Sequence, residues 1–203
     1  ATGASSFHKK TIRDIRLHNK RVLVRTMLNV PIDNGKVGGR RRLEASKETL
    51  EHILEQGGSL VLISHHSKEG QSLAPVAPVL AKILGREITF LDDCVGPEVE
   101  AQVSKMAEGE ILLLENVRFH KEEEQNDREF AKKLSALGDV FCNDAFSVSQ
   151  RNHASVAGIP EFLPSGAGLL LEKEVRELGK FLENLSRPFV VIVGGGKVKD
   201  KLS

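Results

Sequence analysis

A chain of 203 residues is long enough for one well-buried α/β domain, or for one domain and part of another. Hydrophobic residues make up 40% and charged residues 28%, with a net charge of +1, so a surface built throughout for nucleic acid is excluded while a local basic patch is not. No apolar run approaches the roughly 20 residues needed to cross a bilayer, so no membrane span is expected. The opening "ATGASSF" is small and polar, and residues 1–8 read as a loose tail rather than a signal peptide.

Elements then follow in alternation. Arg21 to Arg25 is an apolar run closed by charge, the first strand. "EASKETLEHILEQGG" carries Leu50, Ile53 and Leu54 at helical spacing and stops at Gly57 and Gly58. Ser59 to Ser64 is a continuous apolar run, as expected of a strand buried on both faces. Ser72 is placed to cap a helix carrying Val76, Val79, Leu80 and Ile83. Pro75 suits its first turn, whereas Pro78 is expected to kink it or delay its start. "EITFL" is the third strand, and Pro97 opens a helix with Val99, Val103 and Met106. Glu110 to Glu115 is a further buried strand. Asn126 and Glu129 resemble a capping box before Phe130, Leu134 and Leu137. A strand at Val140 to Cys142, a helix over Leu170 to Leu182 and the apolar "FVVIV" after Pro188 complete the series.

Strands alternating with helices predict a doubly wound, Rossmann-like α/β fold, a parallel sheet with helices on both faces. Ligands in such sheets sit beyond the carboxyl ends of the strands. Five places are thereby marked: Arg25 to Asn29, Ser64 to Lys68, Glu115 to His120, Asn143 to His153, and Gly194 to Lys197. Arg25, Arg118, Arg151, His65, His66 and Lys68 fall there, and Arg40, Arg41 and Arg42 follow in a glycine-rich loop. The planar fork of arginine suits phosphate and carboxylate oxygens, so this convergence points to an anionic small molecule. "VGGGK" is able to cradle phosphate with backbone N–H groups, although it also makes a plain turn. "HKEEEQND" reads as the solvated, acidic start of a helix. Cys94 and Cys142 lie in or beside apolar runs without metal-like spacing; both are read as reduced, and no metal site is expected.

The ordered segments "RVLVR…NVP", "SLAPVA", "LDDCVGPEVE", "LLLENVRFHKEEE", "NDAF", "EKEV…LGK" and "RPFVVIVGGGKVKDK" resemble phosphoglycerate kinase from about Lys10 onward. The resemblance implies a phosphoglycerate-binding α/β domain over 9–169 and a connecting helix over 170–186. Residues 187–203 would be the first strand and glycine-rich loop of a truncated nucleotide-binding domain. It implies a cytoplasmic enzyme of glycolysis that passes a phosphoryl group between 1,3-bisphosphoglycerate and ADP, with Mg-ATP/ADP in the complete enzyme and none expected for this chain alone. Arg25, Asn29, Arg42, His65, Lys68, Arg118 and Arg151 match the family's substrate pocket, with Arg42 and Lys197 in the catalytic role. Gly194, Gly195 and Lys197 match its nucleotide loop.

Four positions depart from the family pattern. "RVDFNVP" becomes "RTMLNVP", placing Met27 where an aspartate grips the glycerate hydroxyl. "TRIRA" becomes "RRLEA", with Glu44 in place of an arginine, and "SHLGRP" becomes "SHHSKE", with Lys68 in place of a forked arginine. "GTAHRAH" becomes "SVSQRNH", with Gln150 in place of a histidine. An unpaired buried hydroxyl costs about 1–3 kcal/mol and a lost charged hydrogen bond about 1.5–3 kcal/mol. Phosphoglycerate affinity is thus expected to fall by about two to four orders of magnitude, if the effects add. The alternative reading is an inactive or redesigned binding scaffold with a new ligand or partner at the former substrate site. The last apolar strand lacks its own sheet and is expected to dock on the first domain, pair in a homo-oligomer, or meet a separate C-terminal chain.

Overall fold

The computed structural model describes residues 9–183 and Val190. Its main sheet has six parallel strands: β1 (Arg21–Arg25), β4 (Ser59–Ile63), β5 (Thr89–Leu91), β6 (Ile111–Leu114), β7 (Val140–Asn143) and β8 (Ser165–Ala167). Their spatial order is β5-β6-β4-β1-β7-β8. The expected doubly wound fold is therefore present, with helices on both faces.

Alternation inside the apolar runs explains why two helical layers are needed. Val22 and Val24 turn to one face, where they pack with Leu50 and Ile53 of α2 (Lys47–Glu55) and Leu80 of α3 (Val76–Leu84). Leu23 turns to the other and meets Val99 of α4 (Pro97–Ser104) and Phe130 and Leu134 of α5 (Arg128–Ser135) within one cluster. A strand with both faces apolar has to be covered twice.

Several local expectations change. Helix α3 starts at Val76, so Pro78 falls in its first turn, where proline is tolerated, and does not delay it. Ser72 caps no helix end. Its hydroxyl accepts from the Ala74 N–H (3.0 Å) and donates to Glu115 (2.6 Å), holding the turn ahead of α3. The N-cap of α5 is Asp127, one residue later than expected, because Asn126 takes a left-handed conformation (φ 50°) and the Asp127 carboxylate receives the Phe130 N–H at 2.8 Å. The loop containing Arg40 to Arg42 is a short helix, α1 (Arg40–Ala45). Between β1 and α1 lies an unforeseen hairpin of β2 (Ile32–Asp33) and β3 (Lys36–Val37). Its Asn34-Gly35 turn has both φ values positive (46° and 74°), which is the turn that favours this dipeptide. Strand β8 is also new, and α6 runs over Leu169–Glu183. The expected strand after Pro188 lies outside the described residues. Among the described residues no helix is long and apolar enough to cross a membrane.

Candidate functional site

The order in which the strands are added reverses between the parallel neighbours β1 and β7. The connection after β1 leads to β4 on one side, and that after β7 leads to β8 on the other. The crevice beyond their carboxyl ends is the place where an open α/β sheet binds ligands. A cleft of about 840 Å³ lies there. Met27 and Asn29 come from the segment after β1, Arg41 and Arg42 from α1, His65 and Ser67 from the end of β4, Arg118 from the turn after β6, and Phe146, Ser147, Val148 and Arg151 from the segment after β7. Leu170 and Glu174 of α6 close one side. Four arginines thus line one space, together with Asp144 and Glu174.

Behind this wall lies a buried polar chain. Arg25 is fully buried, an expensive location for a charge unless every donor is met. Its Nε donates to Ser155 Oγ (2.9 Å), Nη1 to the Thr26 carbonyl (3.0 Å) and Nη2 to His65 Nδ1 (2.8 Å). Ser155 Oγ donates to Glu123 Oε1 (2.5 Å), and the Ser155 N–H donates to Glu123 Oε2 (2.9 Å). A serine hydroxyl therefore bridges one buried cation to one buried anion. Burial pulls the Arg25 pKa down to about 10, opposed by the Glu123 charge, and the group stays protonated at neutral pH. Arginine only donates, so His65 Nδ1 must accept and the ring proton sits on Nε2. Burial first, then the Arg25 and Arg118 charges, push His65 down to about 3, so it faces the cleft as a neutral donor.

Asp144 joins the cleft to α6. Its Oδ1 receives the N–H groups of Leu170 (3.0 Å) and Leu171 (3.2 Å), while the Thr49 hydroxyl receives that of Leu169 (3.1 Å). The first turn of α6 is thus capped by side chains from elsewhere in the chain. Gly168 has to be glycine, since a Cβ there would lie 2.1 Å from Asp144 Oδ1. Burial raises the Asp144 pKa to about 7 against these hydrogen bonds, and its Oδ2 is buried without a hydrogen-bond partner.

With this geometry in view, comparison with known proteins is informative. The phosphoglycerate kinase family profile matches residues 12–203. The chain belongs to the phosphoglycerate kinase family. It is 49% identical to a phosphoglycerate kinase of Moorella thermoacetica, covering 96% of this chain and 51% of that protein, and 46% identical to one of Dictyoglomus turgidum with the same coverage. The crystal structure of phosphoglycerate kinase from Pyrococcus horikoshii is similar with a TM-score of 0.87 at 30% identity, over 94% of this chain and 50% of that one. A phosphoglycerate kinase structure from Coxiella burnetii gives 0.79 at 36% identity, over 95% and 50%. The chain spans about half the length of the phosphoglycerate kinases it matches.

The residues matched to the phosphoglycerate kinase pocket divide into three groups. Asn29, Arg42, His65, Arg118 and Arg151 line the cleft, with Met27 beside them. Asn29 is held by both neighbours: its carbonyl accepts from Arg42 Nη1, and its Oδ1 accepts from the N–H and hydroxyl of Ser67, each at 3.2 Å. Arg25 sits behind them and reaches the cleft through His65. Lys68, Glu44 and Gln150 are exposed and do not line it; Glu44 pairs with Arg40 at 3.7 Å, and Gln150 donates to the Ser147 carbonyl. Gly194, Gly195 and Lys197 lie outside the described residues. Of Arg40, Arg41 and Arg42, the sequence could not say that Arg41 and Arg42 line the cleft while Arg40 does not, and it gave no sign of Glu123, because "HKEEEQND" looks uniformly solvated. Glu123 is fully buried.

Proposed function

We propose that this chain is the phosphoglycerate-binding half of a phosphoglycerate kinase, taking 3-phosphoglycerate or 1,3-bisphosphoglycerate in the cleft between β1 and β7. The observation that carries the reading is the meeting of Arg41, Arg42, Arg118 and Arg151 with the neutral His65 donor at the point where strand order reverses. Guanidinium forks match phosphate and carboxylate oxygens in pairs, and a neutral imidazole adds a hydrogen bond without a titrating charge. Phosphoryl transfer needs positioning and charge stabilisation more than covalent help from the protein. The magnesium nucleotide would be the second substrate of a complete, cytoplasmic enzyme, and the residues matched to it lie outside the described ones.

Titration calorimetry with 3-phosphoglycerate at low and moderate salt tests the reading. Saturable binding that weakens with salt is expected, because the contacts are largely ionic and partly exposed. Absence of heat up to millimolar ligand, from a folded sample, would sink it.

One observation favours a second reading, a cleft rebuilt for another ligand. Met27 packs with Ala145, Val148 and Val156, making an apolar patch on the wall. A phosphorylated ligand bearing an apolar group in place of a hydroxyl would suit it, and tighter binding of such a compound than of 3-phosphoglycerate would decide for this reading.

A further inference from the structure

The fold gathers three side chains that the sequence separates and the cleft does not use. Asp93 and Cys94 follow β5, while His120 follows the short 3-10 turn Val117–Phe119 after β6, 26 residues further on. Strands β5 and β6 pair in parallel with Leu91 opposite Leu114, so the segments leaving their carboxyl ends travel together. As a result one carboxylate oxygen, one sulfur and one imidazole nitrogen all lie within 4.8 Å of one another. Asp93 Oδ1 and His120 Nε2 are 2.7 Å apart, and the His120 ring rests against Phe130 with centroids 5.2 Å apart. Cys94 is fully buried beneath them, whereas the side chains of Asp93 and His120 are 52% and 30% exposed. The group is closed on the sulfur side and open toward water on the other.

We propose that Asp93, Cys94 and His120 form a binding site for a divalent transition cation of the zinc class, with its fourth position open to solvent. The donor set selects the ion. A sulfur and an imidazole disfavour magnesium and calcium, which take oxygen, and suit zinc or cobalt. Three protein ligands and an open position is a known arrangement for zinc. A bound dication would ionise the thiol outright. Two of the three donors, on Asp93 and His120, already stand at the surface. Linear spacing gave no hint of the site; only the pairing of β5 with β6 brings the donors together.

Cobalt(II) serves as the spectroscopic probe, titrated into the full chain and then displaced with zinc. The expected result is one equivalent bound, a thiolate-to-cobalt charge-transfer absorption, proton release on binding, and loss of the absorption when zinc is added. Cys94→Ser should abolish the absorption and weaken binding by more than about 100-fold, beyond what loss of an outer-shell partner costs. His120→Gln should weaken binding by at least about tenfold. Absence of the charge-transfer absorption at saturating cobalt, or its survival in Cys94→Ser, overturns the site. If Cys94→Ser does not fold, the partly exposed His120→Gln decides, and undiminished cobalt affinity there overturns it as well. None of the three side chains lines the cleft, so this result is independent of phosphoglycerate binding.

Discussion

Replacing Met27 by aspartate is expected to raise affinity for 3-phosphoglycerate by about one to two orders of magnitude, since an unpaired buried hydroxyl costs about 1–3 kcal/mol. Calorimetry on the variant checks this, and unchanged affinity would mean that Met27 does not face the hydroxyl. Arg25 makes the opposite kind of residue. Arg25→Met removes the only guanidinium in the buried chain and leaves Glu123 uncompensated, which should cost about 3–5 kcal/mol in urea unfolding. Arg25→Met combined with Glu123→Gln should recover part of that loss, because the neutral amide no longer demands a counter-charge. Equal losses in the single and double variants would refute the coupling through Ser155. Residue types at strand ends were legible in the sequence, and so was the meeting of several of them in one place. Their depth was not: nothing in "VLVR" says that its arginine is fully buried, and nothing in "KEEEQ" says that one glutamate of three is enclosed. Both facts depend on Ser155, 130 positions from Arg25 and 32 from Glu123.

At the scale of elements, the capping of α6 carries a pH signature. The Asp144 pKa is raised to about 7 by burial, against 3.8 for the ordinary group, with the nearby Glu174 adding to the rise. The folded state therefore holds a proton that the unfolded state has lost between these two values. Stability from this group is complete below the unfolded pKa and is lost as pH rises through the folded one. Thermal unfolding of the chain should show this loss between about pH 4 and pH 7, and Asp144→Asn should flatten the curve across that window. A slope unchanged in the variant would assign it to other groups. Strong periodicities made the long elements legible: α2, α3, α5 and α6 all lie where their apolar spacing put them. The short ones were harder. The β2–β3 hairpin was signalled by Asn34-Gly35, but two-residue strands leave no alternation to read. Strand β8 is "SGA", too small and polar to register as a strand; it is held by pairing with β7 and by the bridge from Thr11 to Ala167.

For the whole molecule, the parallel sheet places its stability at the centre. The paired stretches Val22–Val24 of β1 and Leu60–Leu62 of β4 are fully buried, and each strand has hydrogen-bonded neighbours on both sides. In hydrogen exchange their amides should open only with global unfolding, while those of the three-residue strands β5 and β8 should exchange earlier through local opening. Early exchange in β1 would contradict this ranking. The strand order was beyond the sequence, because parallel neighbours are chosen by how helices cover the two faces rather than by local pattern. Fold class and the end of the sheet that carries the cleft were legible all the same.

The cap on α6 also fixes a direction. Asp144, Thr49 and Gly168 hold the first turn of this 15-residue helix, and Arg13 pairs with Glu172 one turn further on. Such a helix is about 22 Å long at 1.5 Å per residue, so a tilt of about 5° at its root would carry the far end about 2 Å. The cleft and the root share Asp144 and Leu170. Whatever fills the cleft therefore meets the same carboxylate and leucine that set the angle at which α6 leaves the sheet.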